Sequence, residues 1–280
     1  MSSINTNNGA MVALQTLKSI NSDLSDTQNQ ISTGKKISTA KDGSAIWAIA
    51  KVMEADVAGF NTIQDSLSVG QATVAVASAG AEQIVSVLEE MKELAVGATS
   101  ETADFAKIEA EMAEKQAQIL SVIGASQFNG VNLLATDADG SGGTALTVLS
   151  SLDRSGSSAP TISTISVASE DFEANLDVGS RTAITDATTA ATALGEIEGY
   201  LQTAINGAAD LGAASSRLDG QGEFISKLTD AMKSGIGALV DADMEEASAR
   251  LQALQTQQQL GVQALSIANQ APQSILSLFR

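Results

Sequence analysis

Apolar residues recur at helical spacing along four stretches of this chain, and a fifth stretch breaks the rule. In the first, Ala10, Leu17, Leu24 and Ile31 repeat every seven residues, with Leu14 on the same stripe and Asn21 and Gln28 at the other seam positions. A seven-residue apolar repeat lines one side of a helix that packs against another helix. It stops at Thr33-Gly34-Lys35-Lys36, where Gly34 suits a helix terminator. The second stretch covers about 44–98, with steps of three and four linking Met53, Phe60, Ile63, Leu67, Val74, Ala77, Ala81, Ile84, Leu88, Met91 and Ala95. Asp56 and Gly70 are the misfits on that ladder. A pattern this long without proline exceeds an ordinary globular helix and predicts a coiled-coil rod. A shorter helix is predicted over about 104–126.

From about 129 to 181 the character changes. Gly140-Ser141-Gly142-Gly143 and Ser155-Gly156-Ser157-Ser158-Ala159-Pro160 are turn or loop signals. The β-favouring runs 145–149 and 161–167 lie between and after them, predicting one or two hairpins. Helix returns near 182. Ile197, Ala204, Leu211, Leu218, Ile225 and Met232 form a heptad series with Leu201 and Ala208. Glycines in Ser234-Gly235-Ile236-Gly237 predict a break, followed by a last ladder of Met244, Ala247, Leu251, Leu254, Gln258, Gly261, Leu265 and Ala268.

The expected fold is mainly α, with long antiparallel helical rods or coiled coil contributed by both chain ends and a small β-rich insertion between them. Amphipathic helices at the two termini are positioned to pair antiparallel. Their seams contain Asn21, Gln28, Gln258 and Gly261, so the isolated pair is expected to be marginal in water. Burial against further copies would stabilise it.

Composition narrows the chemistry. Aromatics make up 3% of 280 residues, and there are two prolines, which suits closely packed helices better than a compact globule. The chain has no histidine and no cysteine. Ser-His-Asp and Cys-His nucleophiles, His/Cys zinc sites and disulfides are therefore excluded, leaving all-carboxylate sites for hard cations. No cofactor is expected and the reading is not enzymatic.

A net charge of −18 argues against nucleic acid. Residues 1–52 hold five lysines against three acids, a net of +2, so the other residues carry −20. This basic segment is suited to acidic surface of its own chain or of a neighbour. No stretch reaches the ~18–20 apolar residues of a membrane helix, so no membrane insertion is expected. Residues 1–8 lack the charged and apolar regions of a signal peptide.

Several local features have a plain and a sharper reading. Trp47 is read as a packing residue rather than a binding hot spot. Gly34-Lys35-Lys36 lacks the spaced glycines of a phosphate loop. Glu82, Glu89, Glu90 and Glu93 read as a solvated face before a cation site. Asp137-Ala138-Asp139-Gly140 resembles a calcium loop without its required glutamate.

Four segments resemble bacterial flagellins. Ile31-Ser32-Thr33-Gly34-Lys35-Lys36-Ile37 with Ala40-Lys41-Asp42 is similar to their N-terminal signature. Lys92-Glu93-Leu94-Ala95-Val96 resembles Arg-Glu-Leu-Ala-Val, and Gln127-Phe128-Asn129-Gly130-Val131-Asn132-Leu133-Leu134 resembles Gln-Phe-Asn-Gly-x-x-Leu-Leu. Ala268-Asn269-Gln270 with Pro272-Gln273 and the terminal Leu276-Ser277-Leu278-Phe279-Arg280 are similar to the family's C-terminus.

The resemblance implies a structural subunit that self-assembles into the helical flagellar filament for swimming motility, secreted by type III export. It implies a D0 region of about 1–43 and 236–280, a D1 region of about 44–136 and 181–235, and a small variable insertion of about 137–180 facing solvent. Leu14, Leu17, Leu24 and Ile31 would pack with Leu251, Leu254, Leu265 and Leu278 and with adjacent copies. Gly34, Lys35 and Lys36 would connect D0 to D1. Implied partners are the chain itself, an export chaperone at about 240–280, and hook-associated junction and cap proteins. The Ser/Thr content of the insertion could accept sugars, as some flagellins do.

The segment bound by the innate-immune flagellin receptor usually has Arg where this chain has Glu90, although Leu94 is kept; weak activation is expected. The rival readings are a hook–filament junction protein and a type III secreted coiled-coil protein.

Overall fold

The computed structural model describes residues 7–154 and 159–278, with side chains described through residue 270. The predicted elements form in the predicted order, with one unpredicted helical turn added after the strands: α1 (Asn8–Thr33), α2 (Ser44–Ala98), α3 (Phe105–Ala125), β1 (Ala145–Asp153), β2 (Thr161–Ala168), the unpredicted one-turn α4 (Phe172–Asn175), α5 (Ala187–Val240) and α6 (Met244–Leu278). Phe279 and Arg280 of the C-terminal motif, and Ser155-Gly156-Ser157-Ser158 of the loop signal, lie outside the described residues. The chain divides into two compact units, residues 1–55 with 231–280 and residues 56–230.

In the first unit α1 and α6 run antiparallel. Asn7 donates from Nδ2 to the Ala268 carbonyl at 2.7 Å, and Gln258 Nε2 donates to Asn21 Oδ1 at 2.6 Å. Between these contacts, a Cβ on Gly261 would lie 3.2 Å from Leu17 Cδ1. The small residue thus lets the two helices approach closely. Asn7 also caps α1 by accepting from the Ala10 N–H at 3.1 Å, while Gly34 closes the helix with φ 69° and donates to the Gln30 carbonyl.

The buried row of α1 differs from the expected one. Ile20 and Thr27 are its buried residues, in step with the half-buried Ala13, whereas Leu14, Asn21 and Gln28 are exposed. The Ala10, Leu17, Leu24 and Ile31 row is half-buried. The intramolecular seam therefore alternates three- and four-residue steps through 10, 13, 17, 20, 24, 27 and 31. Leu14 falls on the flank.

The expected break at Gly235-Ile236-Gly237 does not occur. Helix α5 continues to Val240 and the chain breaks at Asp241-Ala242-Asp243. Two glycines in a helix cost about 2 kcal/mol together relative to alanine, which tertiary burial of Ile236 and Val240 offsets. What ends the helix is a competing partner. The Val240 carbonyl accepts from Lys36 N at 2.7 Å and Ile37 N at 3.3 Å, and the Gly34 carbonyl accepts from Ala242 N at 2.9 Å. Asp243 then caps α6 by accepting from the N–H groups of Glu245 and Glu246.

In the second unit α2 and α5 lie antiparallel, with Gln71 opposite Asp219 at 2.7 Å and Lys92 opposite Glu198 at 3.1 Å. The predicted ladders are its core. Leu67, Val74, Ile84, Leu88 and Met91 of α2 face inward, as do Ile197, Leu211, Leu218 and Ile225 of α5, each at most 1% exposed. Helix α3 adds Met112, Ile119 and Ile123, and Lys115 pairs with Glu90 across to α2.

Candidate functional site

Among the described residues, the helices present apolar surface to solvent. In the pair formed by α1 and α6, Leu254 is buried at 6% exposure, while Leu17, Leu24, Ile31, Leu251 and Leu265 are half-buried. The side chain of Leu278 lies outside the described residues. Beyond the seam, Met11, Val12 and Leu14 on α1 and Leu260, Val262 and Ile267 on α6 are 45–69% exposed. The pair therefore keeps apolar flanks uncovered after its own seam has closed. Scattered exposed apolar residues are ordinary, but six on two paired helices form a feature with physical content.

The loop between α1 and α2 carries Gly34, Lys35 and Lys36. Lys35 Nζ sits 3.1 Å from Glu54 Oε1, and Lys51 sits 2.5 Å from the other oxygen of that carboxylate. The Lys51 and Lys35 hydrogen bonds hold the Glu54 carboxyl below its ordinary range. A recess of about 590 Å³ opens beside this loop, bordered by Asp26, Gln30, Lys36, Ser38 and Lys41. It does not form a phosphate cradle. Asp42 already accepts from the backbone N–H groups of Thr39 at 2.8 Å and Ser38 at 3.1 Å, which are the donors an anion would need.

The Asp137 loop is likewise closed upon itself. Asp137 Oδ1 accepts from Gly142 N at 2.9 Å and Ser141 N at 3.1 Å, and Asp139 Oδ1 accepts from Ser141 N and Gly143 N at 2.9 Å. The Gly142 N–H bond heads the causes that lower the Asp137 carboxyl. Glu82, Glu89, Glu90 and Glu93 are exposed on α2. Among the described residues, no group of three or more acidic side chains converges as a metal site would require. Glu90 is paired with Lys115, and Leu94 is half-buried. Trp47 is half-buried near the start of α2.

The positions that sequence reading set aside turn out to organise the second unit. Asp56, the ladder misfit, is 9% exposed and receives a bidentate Arg154 guanidinium, with contacts of 2.6, 3.1 and 3.2 Å. Gly70, the other misfit, lies beneath the hairpin; a Cβ there would come 2.6 Å from Val148 Cγ2. A Cβ on Gly59 would meet Leu152 at 3.1 Å.

The hairpin thus rests one face on α2. Val148, Ile165 and Val167 are buried there, and Thr161, Ile162, Ser163 and Thr164 remain exposed. A bulge between Leu149 and Ser151 leaves Ser150 unpaired, and its carbonyl accepts from Gln221 Nε2 of α5 at 2.7 Å. Gly80 and Gly207 work alike: one seats Ser126 and Leu134, the other lies under the Phe172 ring. The signal available in the sequence was Asp56 and Gly70 interrupting an apolar ladder; Gly59, Gly80 and Gly207 lie off the ladders and carried none.

A second lock joins α3 to the entry of α5. Buried Arg181 donates to both Glu109 oxygens, at 2.7 and 3.0 Å, and Ile184 N donates to Glu109 at 2.9 Å. Burial pushes the Glu109 carboxyl up, but these bonds outweigh it and the net shift is downward.

Comparison with known proteins finds relatives along the whole chain. The family model described as bacterial flagellin N-terminal helical region matches residues 4–139, and that of the bacterial flagellin C-terminal helical region matches 194–279. Flagellin FljK of Caulobacter vibrioides is 46% identical over 283 residues, spanning 100% of this chain and 99% of that protein. A flagellin of Brucella melitensis is 44% identical over 287 residues, spanning 100% of both. A crystal structure of Bacillus cereus flagellin aligns with a TM-score of 0.48 at 24% identity, covering 59% of this chain and 88% of that one. The two family models between them account for both helical ends, and the relatives match along the whole length. The chain belongs to the bacterial flagellin family.

Proposed function

We propose that α1 and α6 are the polymerisation surface of this flagellar filament subunit. Self-assembly into the extracellular filament follows from the family. The assignment of that role to residues 1–43 and 236–280, and to Leu14, Leu17, Leu24, Ile31, Leu251, Leu254, Leu265 and Leu278 in particular, is our reading. The observation that carries it is the apolar flank left uncovered beside the seam: Met11, Val12, Leu14, Leu260, Val262 and Ile267. Burying one such aliphatic side chain contributes roughly 1.5–3 kcal/mol. Repeated along a head-to-tail contact that does not close into a ring, this supports an open helical polymer.

On the same reading, residues 44–136 and 181–235 form the D1 region, 137–180 the insertion, and Gly34, Lys35 and Lys36 the connection from D0. The apolar stripe of α6 is the surface offered to an export chaperone at about 240–280. The same helix ends would meet hook-associated junction and cap proteins at the filament's two ends. The subunit acts by packing and takes no part in catalysis.

The test uses flank positions, which leave the intramolecular seam intact. Val262→Asp and Ile267→Asp are expected to give monomers with wild-type helicity that do not polymerise when seeded, as seen by negative-stain microscopy. Normal filaments from the double variant would reject the assignment.

A further inference from the structure

The Gln127-Phe128-Asn129-Gly130 segment contains an Asn-Gly pair, in which a side-chain amide stands next to an unhindered backbone nitrogen. Asn129 and Gly130 occupy a two-residue turn with φ 51° and 83°, closed by paired backbone bonds, Phe128 N to Val131 O at 2.9 Å and Val131 N to Phe128 O at 3.0 Å. Both residues are exposed, and a Cβ built on Gly130 meets nothing within 4 Å. Among the described residues, neither the Asn129 side-chain amide nor the Gly130 N–H takes part in a hydrogen bond. The amide is free to rotate toward the Gly130 nitrogen, and no side chain on that residue shields it.

We infer that Asn129 is a site of spontaneous covalent modification, converting to isoaspartate and aspartate through a succinimide. The Gly130 backbone nitrogen loses its proton and attacks Asn129 Cγ. A C–N bond forms, the Cγ–Nδ2 bond breaks, and ammonia leaves with the transferred proton. Water then adds to either ring carbonyl and opens the ring. Attack at Cα's own carbonyl routes the chain through the side chain and gives isoaspartate; attack at Cγ gives aspartate. No oxidant or cofactor is needed. Each event adds one negative charge, and the isoaspartyl form inserts a methylene into a turn that depends on two left-handed residues.

The fold selects among chemically equal candidates. Asn206-Gly207 has the same sequence but lies inside α5, where Asn206 Oδ1 accepts from Gln202 Nε2 at 3.0 Å and Gly207 is covered by the Phe172 ring. Asn132, three residues beyond the turn, is locked by its Nδ2 bond to the Ile123 carbonyl and by the Leu134 N–H. Cyclisation at Asn129 needs only the two bonds of one turn to open, whereas cyclisation at Asn206 needs a helix interior to unfold. Asn8-Gly9 lies in the first turn of α1, neither in an isolated turn nor inside a helix, so the comparison is drawn between Asn129 and Asn206.

The experiment is peptide mapping by mass spectrometry after incubating the purified full-length chain in ¹⁸O-water at mildly alkaline pH. The same incubation in denaturing urea serves as the reference, and protein-isoaspartate methyltransferase labelling reports the iso form. In the folded chain Asn129 is expected to convert about ten-fold or more faster than Asn206, with ¹⁸O incorporated, and the two rates are expected to converge in urea. Equal rates in the folded chain, or conversion of Asn129 in urea only, overturns the inference. Neither result bears on polymerisation.

Discussion

Gly70→Ala is expected to destabilise the second unit, although it places alanine where glycine stood in the middle of a 55-residue helix. Propensity alone favours the change by about 1 kcal/mol. The new methyl, however, would lie 2.6, 3.1 and 3.4 Å from Val148 Cγ2, Cγ1 and Cβ. Val148 is 2% exposed and β-branched, so it has no alternative rotamer at low cost. Its strand is fixed by the Leu149 N–H bond to Ser66 Oγ and the Gln221 bond to the Ser150 carbonyl. Overpacking of this kind costs about 1–3 kcal/mol, leaving a net loss of roughly 0–2 kcal/mol once the propensity gain is subtracted.

Gly212→Ala is the matched control. Gly212 lies on exposed α5 surface, and a Cβ there meets nothing within 4 Å. It should stabilise by up to about 1 kcal/mol. Urea denaturation of monomeric protein followed by circular dichroism gives both midpoints, and hydrogen exchange at β1 localises the effect. In a cycle with Val148→Ala, the valine truncation should cost less in the Gly70→Ala background than in wild type. If Gly70→Ala stabilises as much as Gly212→Ala, the hairpin is not seated on that glycine.

Three further outcomes follow from the same contacts. Leu254→Asp puts a charge at a 6% exposed seam position and should abolish filaments by electron microscopy while exchange protection in α3 and β1 is unchanged; filaments of normal length would refute the seam. Glu170→Gln should stabilise the monomer at neutral pH, because burial first, and the Asp210 charge second, raise the Glu170 carboxyl. A carboxyl raised on folding favours the fold below its ordinary range and loses that contribution as pH rises through the folded value. The gain should therefore vanish when denaturation is repeated below the ordinary glutamate range, and a pH-independent gain would refute the cause. The purified chain should activate a cell reporter for the innate-immune flagellin receptor weakly, since Glu90 presents an anion engaged with Lys115 beside Leu94; a response equal to a stimulatory flagellin would overturn this.

Much of the fold was legible because its helices bury one stripe at constant period. The limits of α2 coincide with the predicted 44–98, and the series Ile197, Ala204, Leu211, Leu218 and Ile225 is wholly buried. What periodicity could not supply was the choice between adjacent rows. Leu14 and Ala13 are neighbours in sequence, and the larger side chain looked like the seam residue. The smaller one is half-buried and the larger one exposed, while the close approach of α6 at Gly261 falls on Leu17 and Ile20 of the same row as Ala13. The end of α5 was illegible for a related reason. Gly235 and Gly237 are local signals, whereas the stop at Val240 is made by Lys36 and Ile37, some two hundred residues away.

The same logic explains why the ladder misfits were the informative residues. A long helix with an unbroken apolar stripe specifies burial but not what covers it, since every turn offers the same surface. Gly59, Gly70 and Gly80 remove side chains at positions matched to Leu152, Val148 and the Ser126–Leu134 turn, and Asp56 places a single anion under Arg154. Each is locally unfavourable, because glycine weakens a helix and a buried carboxylate is costly without its partner. Gly59, Gly70 and Asp56 together distinguish one register of the hairpin on α2 from its neighbours three or four residues along, and Gly80 fixes where the Ser126–Leu134 turn sits. Sliding the hairpin by one helical turn would drive Val148 into a side chain and leave Asp56 buried without a cation. Substituting these four positions with good helix formers should therefore raise isolated-helix stability while blurring hairpin placement.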